Sequence, residues 1–116
     1  MSEELHRPRR RFRRRAVRVL VEYLSNTGLC RDFATTLGAG GMFIETDEPL
    51  PPGTRLKLRF RLPASDVAHE IEGFIAWARR PAHGVTGSAG MGIEFADRAA
   101  CAELALALER IEADGS

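Results

Sequence analysis

Residues 55–62 read R-L-K-L-R-F-R-L, with Leu56, Leu58, Phe60 and Leu62 alternating against Arg55, Lys57, Arg59 and Arg61. Period-two alternation sends the two sets to opposite sides of an extended strand, one buried and one wet. The same rhythm recurs near the start, where Val17, Val19, Val21 and Tyr23 alternate with Arg18, Leu20 and Glu22. Ser25-Asn26-Thr27-Gly28 has turn chemistry, and residues 29–36 read as the returning strand of a hairpin. Residues 42–46 form a short strand ending at Asp47-Glu48-Pro49, after which Pro51-Pro52-Gly53 breaks regular structure. A turn at Pro63-Ala64-Ser65-Asp66 precedes a long strand over residues 67–79, with Ile71, Gly73, Ile75 and Trp77 expected on one face. Gly73 suggests a bend or bulge within it, and Trp77 reads as a core or rim residue. A glycine-rich loop over residues 83–90 leads to a last strand carrying Met91, Ile93 and Phe95. Asp97 then caps a helix over residues 99–113, whose Ala100, Leu104, Leu108 and Ile111 form one apolar stripe. The expected fold is mainly β: a six-stranded antiparallel β-barrel with one C-terminal α-helix, closed so that no sheet edge is left exposed.

A chain of 116 residues has the length of one domain. Residues 1–8 read as a disordered tail and residues 9–113 as the folded domain. The net charge of +1 conceals an asymmetry. Residues 7–18 carry eight arginines and no acid, whereas from residue 19 onward nine cations meet fourteen acids. The arm is strongly basic and the body mildly acidic. Sixteen of the seventeen cations are arginine, whose planar fork suits phosphates and guanine edges better than a point charge does. The N-terminus lacks the apolar core of a signal peptide and no apolar run approaches spanning length, so the cytoplasm is the expected location.

Catalysis finds little support. His6, His69 and His83 fall in a tail, a strand edge and a loop, away from metal-ligand spacing, and Ser25, Ser65 and Ser88 sit in turns. Cys30 and Cys101 give neither a disulfide framework nor a metal pattern and read as free thiols without a functional role. The expectation is a non-enzyme with no catalytic residue, metal or cofactor. The anion-binding signals are stronger. Residues 9–15 read RRRFRRR, and the four-residue spacing of Arg10 and Arg14 repeats in Arg9/Arg13 and Arg11/Arg15. In an extended or loosely turned segment such a pair can close around a compact dianion. The second signal is the turn Thr36-Leu37-Gly38-Ala39-Gly40-Gly41, whose three glycines permit positive φ and close approach of backbone amides to a ligand. A solvated basic tail and a plain hairpin corner are the duller readings of these two features.

Together these residues resemble the PilZ domain family of bacterial cyclic di-GMP receptors. Arg10-Arg11-Phe12-Arg13-Arg14 is similar to the family's RxxxR segment ahead of the first barrel strand. TLGAGG followed by MFIET resembles its [D/N]xSxxG corner, and the Pro-Pro-Gly turn, GFIAWAR and GMGIEF resemble its later strands. The resemblance covers residues 9–112 and implies the barrel and C-terminal helix reached above. Carried over position by position, it implies a cyclic di-GMP site at Arg9, Arg10, Arg14, Thr36, Gly38 and Gly41. Thr36 stands where the motif has Asp or Asn and Gly38 where it has Ser; only Gly41 matches.

Three functions follow from these features. One is a cyclic di-GMP effector whose arm orders on binding and changes the surface seen by a downstream protein. A second is an adaptor that has lost the nucleotide and works by protein contact, for example in motility or surface regulation, with the stripe Arg55, Lys57, Arg59 and Arg61 as a docking face. Nucleic-acid binding through the arm is the third and the weakest, because Phe12 and Tyr23 are the only aromatics near the arm and the sequence shows no stacking platform on the sheet. No membrane partner is expected.

Overall fold

The computed structural model describes residues 15–25, 28–81 and 89–115. The tail, the arm residues Arg9 to Arg14, the tip of the first hairpin and most of the loop expected over residues 83–90 lie outside the described residues. Six strands, β1 (Arg15–Ser25), β2 (Gly28–Gly38), β3 (Gly41–Glu45), β4 (Arg55–Arg61), β5 (Ala68–Arg79) and β6 (Gly90–Phe95), precede one helix, α1 (Arg98–Gly115). Every pairing is antiparallel, and the strands close into a barrel in the order β1-β2-β3-β6-β5-β4. The expected elements are present, with ends differing by one or two residues.

Alternation on β4 is complete: Leu56, Leu58 and Phe60 are buried while Arg55, Lys57, Arg59 and Arg61 are exposed. The inward set meets Val19, Val21 and Tyr23 of β1, Ile71 and Ile75 of β5, and Met91 and Ile93 of β6 in one core. Leu104 of α1 is fully buried in that core, with Ala100, Leu108 and Ile111 packed beside it. The helix starts where Asp97 caps it. The Ala100 N–H donates to Asp97 Oδ1 (3.1 Å) and the Cys101 N–H to the Asp97 carbonyl (2.9 Å).

Buried polar groups show how the interior handles what it cannot hydrate. The Tyr23 hydroxyl donates to Asp32 Oδ2 at 2.6 Å, and burial, reinforced by that bond, pushes the phenol pKa far up. His69, expected at a strand edge, is instead buried in β5, stacked on Phe60 with ring centroids 5.6 Å apart. Its Nε2 is buried without a hydrogen-bond partner among the described residues. Burial lowers its pKa, against a smaller opposing pull from Glu103. A base whose folded pKa lies below its unfolded value leaves the unfolded chain binding more protons below pH ~6.5, so stability falls as pH drops through that range. His69→Phe keeps the stack and removes the orphaned nitrogen. It should raise stability at neutral pH by about 1 kcal/mol and flatten the loss below pH ~6.5, both read from urea denaturation across pH.

Three irregularities shape the sheet. Register slips between Ala16 and Val19 on β1, between Ala34 and Thr36 on β2, and between Ile75 and Trp77 on β5. Gly73, where a bend was expected, stays in register opposite Phe95; a Cβ there would fall 2.5 Å from the Glu94 carbonyl oxygen. Its glycine serves close strand approach. The bulge that follows Ile75 has the larger consequence. It turns Trp77 out of the face it would share with Ile71 and Ile75, leaving the indole 42% exposed on the outside of the barrel.

Candidate functional site

Past the three slips, five residues line up across five strands. Ala16 pairs with Thr36, Thr36 with Phe43, Phe43 with Gly92, and Gly92 with Trp77. Direct cross-strand partners share a face. Leu37, Met42 and Ile44 are core residues, so their neighbours Thr36 and Phe43 point outward. Phe43 and Trp77 stack with centroids 5.3 Å apart and planes 23° off parallel. They reach each other over β6 because Gly92 lies between: a Cβ there would collide with the Trp77 indole. Gly90 does the same one step along, where a Cβ would sit 2.5 Å from Phe43 Cζ. The Arg79 guanidinium lies 5.3 Å from the Phe43 ring centre and 5.8 Å from that of Trp77. The result is an aromatic shelf with a cation above it. Planar π systems stack on such a surface, and anionic groups are drawn to its charge.

The corner of the β2–β3 hairpin adjoins the shelf. Gly38 pairs with Gly41, and Thr36 stands beside Phe43, so these three expected site residues come together on the outer face. Among the described residues left-handed backbone lies at Gly28, Gly53 and Ala64 rather than in the glycine turn, whose glycines would permit it. The irregularity on β2 between Ala34 and Thr36 supplies the extra twist at this corner instead. Thr36 Oγ1 is buried and has no hydrogen-bond partner among the described residues. Arg9, Arg10 and Arg14 lie outside the described residues, but covalent reach constrains them. Arg15 opens β1 opposite Leu37, so the arm joins the barrel next to Gly38. Arg10 is five residues before Arg15, within about 18 Å even when fully extended.

Phe43, Trp77 and Arg79 were not among the residues expected from sequence. Alternating glycines in Gly90-Met91-Gly92-Ile93 were the available signal, since two outward glycines on one strand leave space for neighbouring rings. Two of the four cations on the β4 stripe are matched by acids. Arg59 pairs across the strands with Glu22 and Glu70, and Lys57 with Glu72, so opposite charges face each other in water. Among the described residues no three His, Cys, Asp or Glu side chains gather at metal-binding range, and no helix is long and apolar enough to cross a membrane. Cys30 and Cys101 are free and half-buried.

The family model of the PilZ domain matches residues 8–109. The chain belongs to the PilZ domain family. This is a cyclic di-GMP receptor family of regulatory and adaptor domains. Among solved structures, the Bacillus subtilis inhibitor of motility (MotI/DgrA) superposes with a TM-score of 0.71 at 18% identity over 93% of this chain. The match takes in 53% of the Bacillus protein, so this PilZ chain spans about half of that relative's length. The PilZ domain of CeSA from a cellulose-synthesizing bacterium gives 0.59 at 18% identity, covering 84% of this chain and 98% of its own. An uncharacterized Legionella protein gives 0.57 at 12% identity, covering 89% and 97%. At these identities the likeness establishes the fold alone. No curated protein matches the sequence.

Proposed function

We infer that this PilZ domain is a cyclic di-GMP effector in which the arginine arm closes on the nucleotide against the Phe43–Trp77 shelf, changing the surface offered to a downstream protein. The observation that carries this reading is the row Thr36–Phe43–Gly92–Trp77, which runs from beside the point where the arm enters the barrel to the exposed indole of Trp77. Arg10 and Arg14, with Arg9 beside them, grip phosphate and the guanine faces. One guanine lies over Trp77, and the backbone at Gly38 and Gly41 approaches its edge. Ordering the arm subtracts from the affinity and is also what makes the switch. A regulatory module of this kind acts in the cytoplasm on a protein partner, and motility is the output suggested by the likeness to the Bacillus subtilis inhibitor of motility.

Magnitudes decide whether the altered corner still binds. Loss of the Asp/Asn and Ser side chains removes two hydrogen bonds, roughly 1–3 kcal/mol each when desolvated. Base–aromatic stacking contributes about 1–3 kcal/mol per base, and the buried Thr36 Oγ1 has no hydrogen-bond partner among the described residues. Stacking of one base offsets part of the roughly 2–6 kcal/mol that two hydrogen bonds represent, which favours retained but weakened binding. The second reading, an adaptor that no longer holds nucleotide, rests on the same two replacements at Thr36 and Gly38.

Trp77 is the chain's one tryptophan, so its fluorescence reports on the shelf directly. Titration with cyclic di-GMP should quench it saturably below ~100 µM, with matching heats by calorimetry. The Thr36→Asn, Gly38→Ser double variant should bind about tenfold or more tightly, since one regained hydrogen bond suffices for that factor. Binding by the variant alone would mark the site as a relic and favour the adaptor reading. Silence from both proteins would remove the nucleotide from the account.

A further inference from the structure

On the far side of the core, α1 and the turn after β4 enclose a groove of about 760 Å³ lined chiefly by Leu62, Pro63, Val67, Leu106, Ala107 and Ile111. Two of its apolar side chains are strongly solvent-exposed, Val67 at 61% and Leu106 at 56%. Glu103 and Arg110 stand at its rim, and neither makes an ion pair with another described residue. On the helix, Glu103, Leu106 and Arg110 follow one another at spacings of three and four, which places them on one face beside the stripe that Leu104 and Ile111 bury in the core. The face is acidic at its N-terminal end, apolar in the middle and basic at its C-terminal end.

We propose that this face binds a second copy of the chain, α1 running antiparallel to α1 of the second copy about a two-fold axis that passes between Leu106 and Ala107. Glu103 and Arg110 are equidistant from that point, each about 5 Å along the helix. The two-fold therefore sets Glu103 against Arg110 of the second copy, and Arg110 against its Glu103. Leu106 lies over the second copy's Ala107, large against small, so neither leucine blocks the other and both leave water. A symmetric interface must be complementary to itself, and this charge order is. Parallel helices would oppose Glu103 to Glu103 and Arg110 to Arg110. A foreign helix would need a cation and an acid in the reversed order; the chain already supplies it. The contact is small and bordered by exposed ion pairs, which makes the dimer weak and concentration-dependent. It does not depend on nucleotide.

Sedimentation velocity on the full chain in 50 mM salt, from about 1 to 500 µM, should follow a monomer–dimer equilibrium. Glu103→Arg and Arg110→Glu should each weaken the dimer about tenfold or more, because each puts like charges at both ends of the contact. Mixing the two single variants should restore association as a heterodimer, and so should combining both changes in one chain. Both sites are exposed, and circular dichroism will show that each variant keeps the barrel. Three results would each overturn the proposal: a monomer at every concentration, a dimer indifferent to both reversals, or reversals not rescued on mixing.

Discussion

Replacing Arg10 and Arg14 together by alanine lowers the affinity for cyclic di-GMP by about 10²–10⁴-fold, with barrel stability changed by less than ~0.5 kcal/mol. Two charge-assisted contacts to phosphate, at roughly 1.5–3 kcal/mol each, sum to that range. The arm enters opposite Leu37, beside the Gly38–Gly41 corner, so each guanidinium has the reach to serve a ligand bound at that corner. Stability is spared because the core of the described residues is assembled from β1 to α1. Arg9→Ala, a step further from the barrel, should cost less, about tenfold. Calorimetric titration measures the affinities and urea denaturation the stabilities. A double variant that binds like the parent would detach the arginine arm from the site.

The barrel was legible from residues with strict alternation or strong punctuation. On β4 every second residue is apolar, and Asp97 precedes the helix with its capping oxygen in place. These are local signals, and local physics sets them. Trp77 shows where such reading stops. Counting by twos from Ile71 puts it in the core, but the slip after Ile75 inserts one residue and reverses the side. Nothing in Ile75-Ala76-Trp77 announces that insertion. The site was legible in the same uneven way. Thr36, Gly38 and Gly41 lie within one hairpin and were read from it. Phe43, Gly92 and Trp77 meet only because β6 pairs between β3 and β5 in the closed barrel, a long-range consequence of strand order. The groove beside Leu106 has the same origin, since a helical stripe reveals its own periodicity but not the strand turn it faces.

Gly90→Ala and Gly92→Ala separate the scaffold from the shelf it carries. At Gly90 the added methyl would overlap the Ile44 carbonyl oxygen, a main-chain atom fixed in the β3–β6 ladder. Neither strand can retreat without losing pairing, so the cost should reach about 3 kcal/mol, the upper end for overpacking. At Gly92 the atoms nearest the methyl all belong to the Trp77 ring, which borders solvent and can swing aside. Stability should then fall by only about 1 kcal/mol. The displaced indole breaks its stack with Phe43, shifts its emission to the red, and gives up the stacking worth ~1–3 kcal/mol to a bound base. Nucleotide affinity at Gly92→Ala should therefore drop about tenfold or more in a protein that remains folded. The two substitutions add the same atom to the same strand, yet one is read in the denaturation midpoint and the other in binding and fluorescence. If Gly92→Ala shifts Trp77 emission but leaves cyclic di-GMP affinity untouched, the nucleotide does not use the shelf, and the arm must close on it elsewhere.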